Sequence, residues 1–201
     1  MRAAAWSELE VDLPAEEMWA VYSSPDLPKL IVDLMPARFQ SIDYVEGDGS
    51  QGTTVHITLQ PTNSGPLTWD EQFVIIDDAT MTKVVRQVSG GYLGIGFNMY
   101  ENIFQITARG ANACTVRATG SYDVTEAAQG NSSMISASWR MAMVIRDYIK
   151  AQKAAAAAAQ AEAEAAAAAA AQAEADAAEA QAEKSHGHGH GHGHGRGRGH
   201  H

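Results

Sequence analysis

Between Ala4 and Val124 apolar and polar residues alternate in short runs, and the alternation stops at the stretch that opens with Asn131. Each run reads as a strand with one buried face. Trp6, Leu9, Val11 and Leu13 mark a first strand over Ala4–Leu13, with an uneven step between Trp6 and Leu9. Met18, Trp19, Val21 and Tyr22 then follow Pro14 and two glutamates at helical spacing. Asp26 is placed to cap a second short helix, Leu27 to Met35, which Pro36 ends. Six further strands are predicted over Phe39–Val45, Thr53–Gln60, Thr68–Ile76, Met81–Val88, Phe97–Thr107 and Cys114–Val124. Gly, Asn, Asp and Pro fill the short connections. Successive strands on short connections form an antiparallel meander.

No Gly or Pro interrupts the chain from Asn131 to Lys184, so the whole stretch is predicted helical. Met134, Met141, Ile145 and Tyr148, widened by Trp139 and Ile149, give its first part an apolar stripe to lay on a core. Its continuation is Ala, Gln and Glu with nothing large to bury. The expected fold class is therefore α+β: a strongly bent antiparallel sheet of seven strands with two short helices and a long helix on its open face. The domain reading is 1–153 globular, 154–184 an Ala/Glu-rich helical extension and 185–201 a low-complexity His/Gly/Arg tail.

Charge changes this picture by exclusion. Acids outnumber bases 24 to 14 among the 201 residues, and the net charge of −10 argues against nucleic acid or an anionic membrane as the main partner. The single cysteine, Cys114, forbids an internal disulfide, and a cytoplasmic location is expected, with a nuclear one also open. The first residues hold no signal-peptide core, and the Ala runs are too weakly apolar and too interrupted by Glu to span a bilayer.

Three constellations are candidates for chemistry. Gly47, Gly49 and Gly52 stand in a loop that carries acids, no base and no following helix, which favours a tight structural turn over a phosphate cradle. Glu71 shares a strand face with Trp69, Phe73 and Ile75, Lys83 shares one with Met81 and Val85, and Asn102 shares one with Tyr100 and Phe104. Those faces either line a cavity, point to solvent, or hold a plain Glu71–Lys83 cross-strand pair. Met134, Met141 and Met143 suit either an adaptable ligand wall or ordinary core. The third is the tail, where seven of the eight histidines lie; weak metal binding and a protein partner are the roles open to it. His56 alone makes no metal site, so no metal centre and no cofactor is expected.

Glu8–Ala15, Trp19–Tyr22, Val45–Thr53 and Gly90–Leu93, in that order, resemble the plant Bet v I family over Met1 to Lys153, and within it the class 10 pathogenesis-related and norcoclaurine-synthase-like members. The resemblance implies a seven-stranded sheet wrapped around a C-terminal helix, with a hollow core for a small hydrophobic plant metabolite of the hormone, flavonoid or alkaloid class. It implies a defence-related ligand-binding protein, with two alternatives. One is a norcoclaurine-synthase-like enzyme that condenses dopamine with 4-hydroxyphenylacetaldehyde in a Pictet–Spengler reaction. The other is an abscisic acid receptor-like phosphatase inhibitor, although here the receptors' gate and latch loops read Asn63–Leu67 and Gly90–Ile95. In the synthases the pocket carries a Tyr-x-Glu-x-Phe strand, a Lys and an Asp. The matching positions are Trp69, Glu71, Phe73, Lys83 and Asn102, so Tyr and Asp are replaced. By the same resemblance Glu71 and Lys83 face inward as general base and general acid, and Trp69, Tyr100, Asn102, Met141, Ile145 and Tyr148 line the ligand cavity.

Overall fold

A computed structural model describes residues 1–186. The chain divides into two units, Met1–Ala151 and Gln152–His201. In the first unit the elements run β1 (Arg2–Val11), α1 (Ala15–Tyr22), α2 (Leu27–Leu34), β2 (Phe39–Glu46), β3 (Thr54–Leu59), β4 (Thr68–Asp77), β5 (Thr82–Gly90), β6 (Phe97–Ala108) and β7 (Cys114–Val124). The last helix, α3, spans Arg140–His186. All seven strands join one sheet in the order β1-β7-β6-β5-β4-β3-β2, and every neighbouring pair is antiparallel. The first strand is thus paired with the last, and the meander fills the rest.

One face of the sheet is closed by helices. Val11, Leu13, Met18, Ile31, Val116 and Ile145 share a single buried cluster, which brings β1, α1, α2, β7 and the start of α3 together. A second cluster, with Val55, Ile57, Phe73 and Val85, covers the β3–β4–β5 part of the same face. Burying such side chains supplies about 1.5–3 kcal/mol each and is what holds the curved sheet against its helices.

Two strand readings and one cap reading are corrected. Trp6 lies on the outer face of β1, 60% exposed, with the Arg117 guanidinium 4.6 Å above its ring. Strict alternation puts odd-numbered Leu9 and Val11 inward and even-numbered Trp6 outward, so the uneven step was a change of face. Ile75 is exposed because a bulge between Phe73 and Ile75 shifts the register and turns Ile76 inward instead. Asp26 occupies the cap position of α2, but its side chain makes no capping hydrogen bond.

The predicted helix from Asn131 begins instead at Arg140. Gln129–Met134 form a tight 3-10 turn, and Ile135 has an extended backbone. Ser132, Ser133, Ser136 and Ser138 crowd this segment; Ser133 Oγ bonds the Gly130 carbonyl and Ser138 Oγ accepts from Arg140 N–H, local bonds that compete with helix. Met134 and Trp139 consequently do not join the buried stripe and are 41% and 44% exposed.

From Gln152 to Ser185 every side chain is exposed. Gln160–Glu164 and Gln172–Asp176 hydrogen bonds, each spanning one helical turn, support the Ala-rich helix there. No helix of the described chain is long and apolar enough to cross a membrane. The His-Gly tail from position 187 onward, with its expected metal affinity and partner role, lies outside the described residues.

Candidate functional site

The sheet's concave face and the start of α3 enclose a cavity of about 830 Å³, within the size range of small-molecule sites. Its walls are largely apolar, and one group of its polar side chains comes from three adjacent strands. β4 supplies Glu71, β5 supplies Lys83 and Gln87, and β6 supplies Tyr100 and Asn102. Period-two alternation aims them inward: Trp69, Glu71 and Phe73 share one face of β4, and Lys83, Val85 and Gln87 share one face of β5.

Lys83 is 2% exposed. Its ammonium donates to the Tyr22 carbonyl at 3.1 Å and sits 4.2 Å from the Phe73 ring centroid. Tyr22 ends α1, so the lysine meets a helix C-terminus, where carbonyls lack intrahelical donors and attract a cation. Burial still dominates: it lowers the Lys83 pKa from 10.5 to about 8, against the opposing pull of the Glu71 charge. A lysine so placed is mostly protonated at neutral pH and releases its proton readily.

Glu71 faces the same cavity. Desolvation raises its pKa, while a hydrogen bond from Trp69 Nε1 to its Oε2, at 3.0 Å, and the Lys83 charge pull the other way. Glu71 and Lys83 form no direct ion pair. In the ladder Glu71 stands opposite Gln87, and Lys83 opposite Ile76 and Phe104. The cross-strand pair that the sequence left open is therefore not made, and the two groups address the cavity separately.

Asn102 accepts a hydrogen bond from the Tyr100 hydroxyl at 3.0 Å. Burial, then the neighbouring Tyr92 and Glu71, push the Tyr100 phenol pKa up, so it stays a neutral donor. Tyr92 stacks at a tilt on Tyr100 with ring centroids 4.5 Å apart, and its N–H is held by Gln87 Oε1 at 2.8 Å.

Six of the predicted site residues are brought together here: Trp69, Glu71, Lys83, Tyr100, Asn102 and Met141 all line the cavity. Ile145 and Tyr148 do not. Ile145 is 0% exposed within the cluster around Met18 and Val116, and Tyr148 packs against that cluster. One helical turn beyond Met141 the inward face of α3 already rests on α1 and β1, so those two residues are core. Gln87 and Tyr92 were missed. Gln87 carries a signal, since it stands on the Lys83–Val85 face by parity; Tyr92 sits in a 3-10 turn, Gly91–Ile95, where no periodicity points inward.

Gly47, Gly49 and Gly52 all have positive φ, in the loop between β2 and β3. A Cβ on Gly49 would stand 2.3 Å from the Pro25 carbonyl oxygen, so only glycine lets the loop close on the α1–α2 junction. Its backbone donors turn inward, Gly49 N–H to Thr53 Oγ1 at 2.9 Å and Gly52 N–H to the Phe73 carbonyl at 2.7 Å. They are spent on the turn rather than offered to an anion. Among the described residues no group of three or more potential metal ligands occurs. His56 is engaged with Asp70 at 2.5 Å and Thr68 at 2.9 Å.

A bent antiparallel sheet closed by helices over a mostly apolar cavity, with a few convergent polar groups, is a helix-grip architecture whose cavity has the form of a small-molecule site. A sequence model of the pathogenesis-related protein Bet v 1 family matches residues 2–151, and the chain belongs to that family. The match ends where the second unit begins. S-norcoclaurine synthase 2 of Papaver somniferum is 35% identical over 129 residues, 64% of this chain and 55% of that one. The chain thus spans little more than half of that relative's length. Norbelladine synthase of Narcissus pseudonarcissus is 35% identical over 133 residues, 66% of this chain and 82% of that one. Among solved structures, norcoclaurine synthase of Thalictrum flavum in complex with dopamine and hydroxybenzaldehyde aligns with a TM-score of 0.68 at 28% identity, over 74% of this chain and 87% of that one.

Proposed function

We propose that this protein is a condensing enzyme that joins an arylethylamine to an aromatic aldehyde in its cavity, with Lys83 as general acid and Glu71 as general base. The observation that carries this reading is the pairing of a buried ammonium of lowered pKa with a carboxylate of raised pKa, unpaired with each other, in one apolar cavity. Groups whose environments bring their pKa values toward neutrality are suited to moving protons. The synthases among its relatives, one of them seen with dopamine and hydroxybenzaldehyde, support the substrate class.

The proposed roles are those that the synthase pattern implies for these two positions. The amine nitrogen attacks the aldehyde carbon and gives a carbinolamine. The Lys83 ammonium donates a proton to its hydroxyl, which leaves as water and yields the iminium. The electron-rich ring then attacks the iminium carbon, and the Glu71 carboxylate takes the displaced ring proton to restore aromaticity. Two departures from the relatives' pattern bear on rate. Asn102 carries no charge where the synthase pattern has a carboxylate, and Trp69 supplies a donor to Glu71 where the pattern has a phenol.

The test is chromatographic detection of norcoclaurine from dopamine and 4-hydroxyphenylacetaldehyde against a protein-free control. Product should form with the intact protein and fall to the control in Lys83→Ala and Glu71→Ala. Product unchanged in Lys83→Ala refutes the assignment. The same two departures favour a second reading, carriage of a hydrophobic metabolite without turnover. In that case ligand binding persists with no product above the control.

A further inference from the structure

The charge of the cavity is opposite to that of the protein. The chain is strongly acidic, yet among the residues lining the cavity three are cations, Arg38, Lys83 and Arg140, and Glu71 is the sole carboxylate. Lys83 lies deep and is accounted for. Arg38 and Arg140 are exposed as well as lining, which places them at the cavity's solvent end. Neither guanidinium has an ion-pair partner or a side-chain hydrogen bond among the described residues; Arg38 rests on the Phe39 ring, 5.6 Å from its centroid, and its charge is felt by the Tyr92 and Tyr100 phenols.

Both residues are firmly based. The Arg38 carbonyl accepts from Gln60 N–H at 2.9 Å and from Asn63 Nδ2 at 3.2 Å, which fixes the α2–β2 turn. Arg140 is the first residue of α3, and its N–H bonds Ser138 Oγ at 3.2 Å. The donor end of that helix adds positive potential beside Arg140. Two anchored guanidiniums with unused forks, both exposed and both lining one apolar, aromatic-walled cavity, offer the bidentate donors and the charge that a carboxylate takes.

We infer that the cavity takes an aromatic ligand bearing a carboxylate, with the ring held among the apolar walls and the carboxylate at Arg38 and Arg140. Under the condensation reading, on which this rests, one reactant would be an aromatic amino acid or an aromatic 2-oxo acid rather than the simple amine or aldehyde.

The experiment is calorimetric titration of the intact protein with para-hydroxyphenylacetate and, separately, with para-hydroxyphenylacetamide, which differ in charge and little in shape. Amine–aldehyde condensation with neutral carbonyl substrate is measured on the same preparation. The acid should bind at least about tenfold more tightly than the amide at low salt. That preference should vanish in the double variant Arg38→Gln/Arg140→Gln and persist in Arg38→Lys/Arg140→Lys. Equal affinity for acid and amide, no binding of the acid, or a preference that survives the double Gln variant overturns the inference. If condensation persists in the unmodified protein in any of those cases, the inference alone falls. If condensation is absent too, the reading of the cavity as a condensing site falls with it.

Discussion

Trp69 donates its indole N–H to Glu71 Oε2 at 3.0 Å, two residues along the same strand face. The residue that departs from the synthase pattern is thus bonded directly to the carboxylate that keeps it. The bond favours the ionised form of Glu71 and opposes the burial that raises its pKa. Trp69→Phe keeps an aromatic ring and removes the donor. The acidic limb of the pH–rate profile should then move up by about one unit, the equivalent of ~1.4 kcal/mol of lost stabilisation of the carboxylate. An unmoved limb in Trp69→Phe would show that the indole does not govern Glu71.

Restoring the synthase pattern should raise turnover. In Asn102→Asp the Tyr100 hydroxyl has a carboxylate to donate to, and Trp69→Tyr returns a phenol to β4. The double variant Trp69→Tyr/Asn102→Asp is expected to increase kcat/KM for the condensation by about tenfold, roughly 1.4 kcal/mol of transition-state stabilisation. Steady-state kinetics of the two proteins side by side checks it.

Lys83 should make stability depend on pH in an identifiable window. Its pKa is about 8 in the fold and 10.5 unperturbed. Between those values the unfolded chain holds the additional proton, so this site's contribution to stability rises with pH there. Below pH 8 the buried charge costs about 3 kcal/mol relative to a solvated one. Lys83→Met removes the titration, and urea denaturation of both proteins should show their stability difference changing by about that amount, in favour of the unmodified protein, from pH 7 to pH 10.5. A constant difference across that window would mean that Lys83 is not buried as a cation.

Met141 and Ile145 lie one helical turn apart on α3 and should separate binding from folding. Ile145 is buried in the core, so Ile145→Ala is expected to cost about 2–5 kcal/mol of stability. Met141 lines the cavity, so Met141→Ala should change ligand affinity with a smaller loss of stability. Thermal denaturation and titration of one ligand on both variants distinguish the two roles.

The loop glycines should differ among themselves. Gly49→Ala combines a φ of +99° with a Cβ 2.3 Å from the Pro25 carbonyl oxygen, whereas Gly52→Ala, at +95°, meets nothing within 4 Å. Gly52→Ala should cost about 1 kcal/mol for left-handed backbone alone. Gly49→Ala should cost appreciably more, read as a larger drop in Tm.

The strands were legible because alternation is a local signal: Val55, Ile57 and Leu59 declare one buried face without reference to anything else. Glu71, Lys83 and Asn102 were placed on candidate faces by the same parity, but only the family pattern turned those faces inward. Where the pattern broke, the reading broke with it. The bulge after Phe73 exchanged Ile75 for Ile76, and no composition marks that step. The start of α3 was misplaced because propensity alone is weak against four serines and a chain that must first cross the cavity mouth. Ile145 and Tyr148 share a helical stripe with Met141, and a stripe says that residues are covered, not by what. Arg38 and Arg140 carried no signal at all, since their meaning lies in two segments, distant in sequence, that line one cavity.

If Lys83 is the proton donor of a condensation in the cavity, the pH dependence of kcat for norcoclaurine formation reports it most directly. The rate should fall above about pH 8, the pKa that burial gives Lys83, and turnover should be lost in Lys83→Ala. A kcat that stays level well past that pH, or turnover that survives in Lys83→Ala, contradicts that role.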